Sequence, residues 1–128
     1  MSTITVTNIK ATGETASRAV SGVAAAWAKY GMDDNTIDDS VNLSSITDNG
    51  SGDFTNTWIN GFNTASYSHI ANGSIGTGAS AINKQDFYTP STSSVRLLTA
   101  FHNGSAENGG GTPYDYQLVS LLAHGDLA

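Results

Sequence analysis

Three histidines, eleven carboxylates and a scatter of hydroxyls are the residues from which any catalytic or metal chemistry in this sequence would have to be built. His69, His102 and His124 fall in three separate strand-like segments. They show neither the HxH nor the HExxH spacing that aims two imidazoles at one ion. Serines and threonines abound, but no GxSxG elbow presents one as a nucleophile. The triple glycine at 109–111 is not followed by Lys-Ser or Lys-Thr, so it reads as a flexible tip and not a phosphate loop.

The densest charge is Asp33, Asp34, Asp38 and Asp39, with Asn35 among them. Such hard oxygen donors suit Ca²⁺. A second acidic turn runs from Asp48 to Asp53. Neither has the twelve-residue spacing and terminal Glu of a calcium loop, and Asp or Asn bonding its own backbone in a turn accounts for both. Paired carboxylates also serve glycoside hydrolysis, but nothing in the sequence fixes the separation that reaction needs. We therefore expect no catalytic group, no metal ligand and no cofactor.

Binding is the better-supplied chemistry. Asn, Ser, Tyr and Gly concentrate in the connections, the palette of adaptable binding surfaces. Asn49 and Ser51 in segment 48–53, and Asn103, Glu107 and Asn108 in segment 103–112, are the candidate exposed binding residues. Tyr67, Tyr88, Tyr114 and Tyr116 either stack on sugars or pack at sheet edges.

The elements that must position these residues are strands. Only 12% of residues are charged, against roughly 25% in soluble domains. Gly, Ser, Thr and Asn fill the gap. Two Trp, five Tyr and four Phe spread along the chain argue against disorder. Short aromatic and β-branched runs between Gly/Asn/Ser turns predict an all-β antiparallel sandwich of about seven or eight strands. Strands are expected over 3–9, 23–30, 37–47, 54–59, 65–72, 81–88, 94–102 and 114–123. Val23 to Tyr30 is ambiguous, since its alanines favour helix, but no capping box precedes it and Gly31 ends it early. Asn49-Gly50 and Gly52-Asp53 between two strand-like runs predict a hairpin. Phe54, Asn56 and Trp58 should share one face of its return strand. Residues 11–22 read as an irregular arm with at most one helical turn. The division is then an extended N-terminal docking arm over 1–22, with Ile4, Val6, Ile9 and Val20 as its contacts, and a sandwich over 23–128.

Two strands carry apolar residues on both faces: Val95, Leu97, Leu98 and Phe101 in one, Leu118, Val119, Leu121 and Leu122 in the other. A half-solvated strand alternates, whereas one buried on both faces need not. These eight residues are the expected oligomer interface. The net charge of −6, with five scattered basic residues, argues against nucleic acid or an anionic membrane surface as the main partner. No cysteine is present, so disulfides and thiolate metal sites are excluded. No run approaches the roughly 18 apolar residues of a membrane span, and the opening MSTITVTNIK lacks the apolar core of a secretory leader. We expect no membrane insertion, with synthesis in the cytoplasm.

Gly22-Val23-Ala24-Ala25-Ala26-Trp27, then Asp39-Ser40-Val41-Asn42-Leu43-Ser44-Ser45-Ile46-Thr47-Asp48-Asn49-Gly50-Ser51-Gly52-Asp53-Phe54, resembles a module of bacteriophage tail-fibre and virion-appendage proteins, of the marine and cyanobacterial phage type. The closing His124-Gly125-Asp126 and the opening stretch 13–22 are similar in the same sense. The Asn42–Phe54 portion is the specific part. The chain departs from the pattern at Met32 to Asp39 and in the Gly-rich loop near residue 107. The resemblance implies a virion structural protein, a β-rich module, commonly trimeric, contacting other tail or capsid proteins, with a host surface glycan as a further partner. It carries over no catalytic residue. Without a shaft, such a module is expected to dock through its own N-terminal arm. The alternative expectation is a capsid decoration protein that stabilises the shell without binding a receptor.

Overall fold

The computed structural model describes residues 5–6, 8–9, 18–19, 24–74, 82–88, 90–102 and 111–128, with side chains left aside at 8–9, 18–19, 82–87 and 102. It is all-β, and no helix occurs among the described residues. In chain order the strands are β1 (Asn8–Ile9), β2 (Arg18–Ala19), β3 (Ala24–Tyr30), β4 (Ile37–Val41), β5 (Leu43–Gly50), β6 (Asp53–Trp58), β7 (Ser68–Ser74), β8 (Ile82–Phe87), β9 (Ser94–His102), β10 (Thr112–Pro113) and β11 (Leu118–His124). Two antiparallel sheets form the sandwich. One runs β4-β3-β11-β7; the other runs β10-β9-β6-β5, with β8 on the free side of β9. β1 and β2 pair with each other.

Strand alternation builds the core. Ala26, Ala28 and Tyr30 on β3 and Val119, Leu121 and Ala123 on β11 point inward from one sheet. Phe54 and Trp58 on β6 and Val95 and Leu97 on β9 meet them from the other. The ambiguous alanine segment is therefore a strand, because its small inward residues leave room for the aromatic side chains opposite. Asn56 lies on the same inward face and is fully buried, its amide donating to Val95 O at 3.4 Å. The predicted face Phe54, Asn56, Trp58 is the observed one.

The segment expected as one strand over 37–47 is two. Asn42 sits at φ 60°, a left-handed conformation that Asn tolerates better than most residues. There the chain leaves the first sheet and joins the second. Asn42 holds this bend with its side chain, accepting from Asn60 N–H at 2.8 Å and donating to Asn60 O at 3.0 Å. The hairpin forms where the Gly-rich turn predicts it, with Gly50 at φ 127° and Gly52 at φ 67°. Asp48 Oδ1 accepts from Gly50 N–H at 2.8 Å. Gly52 is packed so closely that a Cβ would collide with Thr99 O and Tyr114 N.

The pairings also fix which loops share an end of the sandwich. Asp53 lies opposite Leu98, so the hairpin tip and the far end of β9 are together. Gly52 N–H donates to Asp115 Oδ1, and Met32 N–H donates to Tyr116 O. The turn after β3, the hairpin and segment 111–117 therefore gather at one end. At the other end Ala24 pairs with His124, Phe62 bridges Leu127, and Trp58 packs edge-on against Phe62 and Tyr67.

Candidate functional site

The acidic segment is organised by turn hydrogen bonds. Asp34 Oδ1 accepts from Thr36 N–H at 3.0 Å, Asp39 Oδ1 accepts from Ser40 N–H at 2.8 Å, and Asp38 pairs with Lys29 at 3.1 Å on an exposed edge. Among the described residues no group of three His, Asp or Glu side chains could hold a metal ion. His69 is the second residue of the edge strand β7, beside the Tyr67 ring, and His124 closes β11.

The eight residues expected at an oligomer interface divide in two. Val95, Leu97, Val119 and Leu121 are at most 2% exposed and belong to this chain's own core. They have no surface to offer a partner, and the expectation is corrected for them. The physical reason is that β9 and β11 are both interior strands, so their inward faces are covered by the opposite sheet within one chain. Phe101 shares that inward parity at the loop end and lies half-buried near Tyr114. Leu98, Leu118 and Leu122 point outward and are half-buried.

Leu122 is one member of a row that sequence reasoning missed. On the outer face of the four-stranded sheet, Val41 pairs with Trp27, Trp27 with Leu122, and Leu122 with Ile70. Four apolar residues, one from each strand, thus line up across the whole sheet. Val41 is 46% exposed and Ile70 65%. The next row, Asp39-Lys29-Ser120-Asn72, is polar. Trp27, Ile70 and Leu122 line a shallow groove of about 470 Å³. No local sequence signal marks the row, since it is created by register between distant strands.

On the outer face of the other sheet a polar row crosses the centre, beside the half-buried Leu98. Thr47 faces Thr55, which faces Arg96. Arg96 grips Asp53 through two hydrogen bonds, Nε to Oδ1 at 2.7 Å and a terminal nitrogen to Oδ2 at 2.5 Å. Its guanidinium lies 4.5 Å over the centre of the exposed Tyr88 ring, a cation–π contact. The hydrogen-bonded guanidinium holds the Asp53 carboxyl below its ordinary value against a smaller opposing effect of burial. Asn49 Nδ2 donates to Thr55 Oγ1 at 2.9 Å and to Asp53 Oδ1 at 3.3 Å.

Of the exposed binding candidates, Asn49 and Ser51 are exposed at the hairpin tip, and Ser51 Oγ donates to Asp115 Oδ2 at 3.4 Å. Asn103, Glu107 and Asn108 lie outside the described residues, although His102 and Gly111, which anchor their loop, stand at the hairpin end. Of the arm candidates, Val6 is 48% exposed, Ile9 belongs to β1, and Ile4 and Val20 lie outside the described residues. Arg18 pairs as a strand residue with Ile9, so the described part of the arm includes a two-stranded antiparallel pair. The rest of the expected helical turn lies outside the described residues. Tyr67 and Tyr116 are buried, whereas Tyr88 and Tyr114 keep 51% and 40% of their surface exposed.

Compared with family models, curated proteins and solved structures, the chain matches none.

Proposed function

We propose that this chain is a structural module of a phage virion, a tail-fibre-like appendage that works by contact and not by catalysis. One observation carries the reading. The hairpin at 48–53 and the anchors His102 and Gly111 of the second loop expected to face outward stand at the same end of the sandwich, while the N-terminal segment joins β3 at Ala24, at the opposite end. A module built this way is attached through its N-terminal segment and displays its polar loops on the far side. Multivalency then turns weak loop contacts with a host surface glycan into firm attachment, because linked copies rebind at high effective concentration.

Copies associate, in this reading, through the outer face of the four-stranded sheet. Four strands at about 4.8 Å spacing and seven residues at about 3.3 Å rise give a face on the order of 440 Å². That is roughly half of the ~800 Å² per partner of a standard stable interface. The apolar row therefore seals a contact jointly with other surface, as in a trimer closed around the N-terminal segments.

Imaging particles labelled on this protein tests the placement. Label on tail appendages, lost when residues 1–20 are deleted, is the expected result. Label spread over the shell, with fragile particles after gene loss and no binding of purified protein to host cells, would replace this reading with capsid decoration.

A further inference from the structure

We propose that the cleft between loop 63–67 and the end of β11 binds a single sugar ring. This site lies at the end opposite the displayed loops, so the inference goes beyond host attachment and does not depend on it. The cleft has a volume of about 190 Å³ and is lined by Asn63, Thr64, Ser66, Tyr67, His124 and Asp126. Its walls are stitched together by backbone: Asn63 N–H donates to Asp126 O at 2.8 Å and Ala128 N–H to Gly61 O at 2.9 Å. The Tyr67 wall is fixed as well. Its hydroxyl accepts from Trp58 Nε1 at 3.2 Å and donates to Ser94 O at 3.0 Å, and its ring stacks on Phe62 with centroids 3.9 Å apart.

Gly125 makes the close approach possible. A Cβ there would meet Tyr67 Cβ at 2.7 Å and the Phe62 ring at 3.0 Å. With glycine at this position, His124 and Asp126 flank the cleft on either side of a strand end pressed against the aromatic wall. Thr64 Oγ1 is engaged by Ser66 N–H at 3.2 Å. The side chains of Asn63, Ser66, His124 and Asp126 make no hydrogen bond to another described residue, so an amide, a hydroxyl, an imidazole and a carboxylate stand ready for a ligand.

Size and chemistry narrow that ligand. The volume is on the order of six waters at ~30 Å³ each, and falls below the roughly 300 Å³ where drug-sized pockets begin. One ring fits; an oligosaccharide does not. An anion would face Asp126 in a protein of net charge −6, and a hard cation calls for more carboxylate oxygens than one side chain gives. A polyol suits the mixture, because a carboxylate accepts from two neighbouring hydroxyls while the amide both donates and accepts.

Titrating the isotope-labelled protein with glucose, galactose, mannose and N-acetylglucosamine, read by amide chemical shifts, tests the site. At least one should bind with shifts confined to 61–67 and 124–128. Asp126→Asn should weaken that binding about tenfold or more, as loss of a charged acceptor does, without changing the melting temperature. Ser66→Ala, in an exposed loop, should weaken it less and carries the test if the Asp126 variant does not fold. Shifts confined to the hairpin and segment 111–117, affinity unchanged in both variants, or no shifts with any of the four sugars would each overturn the proposal.

Discussion

The two outer faces of this sandwich obey the same alternation and carry opposite surfaces. On the four-stranded sheet, Val41, Trp27, Leu122 and Ile70 form an apolar row with a polar row beside it. On the other sheet the equivalent positions hold Thr47, Thr55 and Arg96, with Asp53 and Tyr88 closing on the guanidinium. Folding requires only that the inner faces match, and both do. The difference therefore reports what each outer face meets: the threonines and the ion pair suit water, whereas a row with residues up to 65% exposed suits another protein surface.

Removing what both faces rest on should have the largest effect. Phe54 is fully buried between the sheets and stacks with Tyr30 across the core, centroids 6.4 Å apart. Phe54→Ala should cost about 3–5 kcal/mol by lost transfer and cavity formation, read as a fall in denaturant midpoint. A loss below 1 kcal/mol would mean that the sheets do not meet there. Leu122→Lys should act next most strongly, and on assembly. Leu122 is half-buried at the centre of the row, so if copies associate through it as proposed, a buried ammonium between them should shift the sedimentation profile to monomer while the circular dichroism stays that of a β protein. An unchanged oligomer would remove the row from the interface.

The core also holds a polar atom that makes a sharper test. Tyr30 Oη is buried and has no hydrogen-bond partner among the described residues. Burial raises the Tyr30 phenol well above its ordinary value, and the nearby Asn56 amide offsets part of this without reaching hydrogen-bond geometry. Tyr30→Phe should accordingly be neutral or stabilising, since it removes an unsatisfied group and leaves the ring. Tyr67 and Tyr116 are raised by burial too. A phenol whose folded pKa lies above its unfolded value contributes stability that is full below the unfolded value and is lost as pH rises. Stability should therefore decline from about pH 10 upward, less steeply in the Tyr30→Phe variant.

Much of the fold was legible in the sequence, and much less of the sites. Alternation gave the inner face of β6, and Asn49-Gly50 gave the hairpin, because both signals are local. The break at Asn42 was missed, since an Asn at positive φ looks like any polar residue within a strand-like run. The double-sided apolar character of β9 and β11 was visible, but it did not reveal that one parity in each is core. That depends on which strands flank them. The apolar row, the cleft and the Asp53–Arg96 pair, 43 positions apart, are products of register and chain return, for which the sequence offers residue types but no address.

The smallest effect belongs to that ion pair, and it completes the comparison of faces. Arg96 holds Asp53 by hydrogen bonds to both carboxylate oxygens, and the carboxyl titrates below its ordinary value. A carboxylate with a depressed folded pKa contributes stability above its unfolded value, about 3.9, and loses it as pH falls through the lowered folded value. The pair is largely solvated, with 43% of the Arg96 side chain exposed, so screening keeps the contribution small. Asp53→Asn should flatten the acid limb of the melting-temperature profile slightly and leave the proposed oligomer intact at neutral pH. If it dissociated the oligomer instead, the polar face would be the one that copies share, and the assignment of the two faces would have to be exchanged.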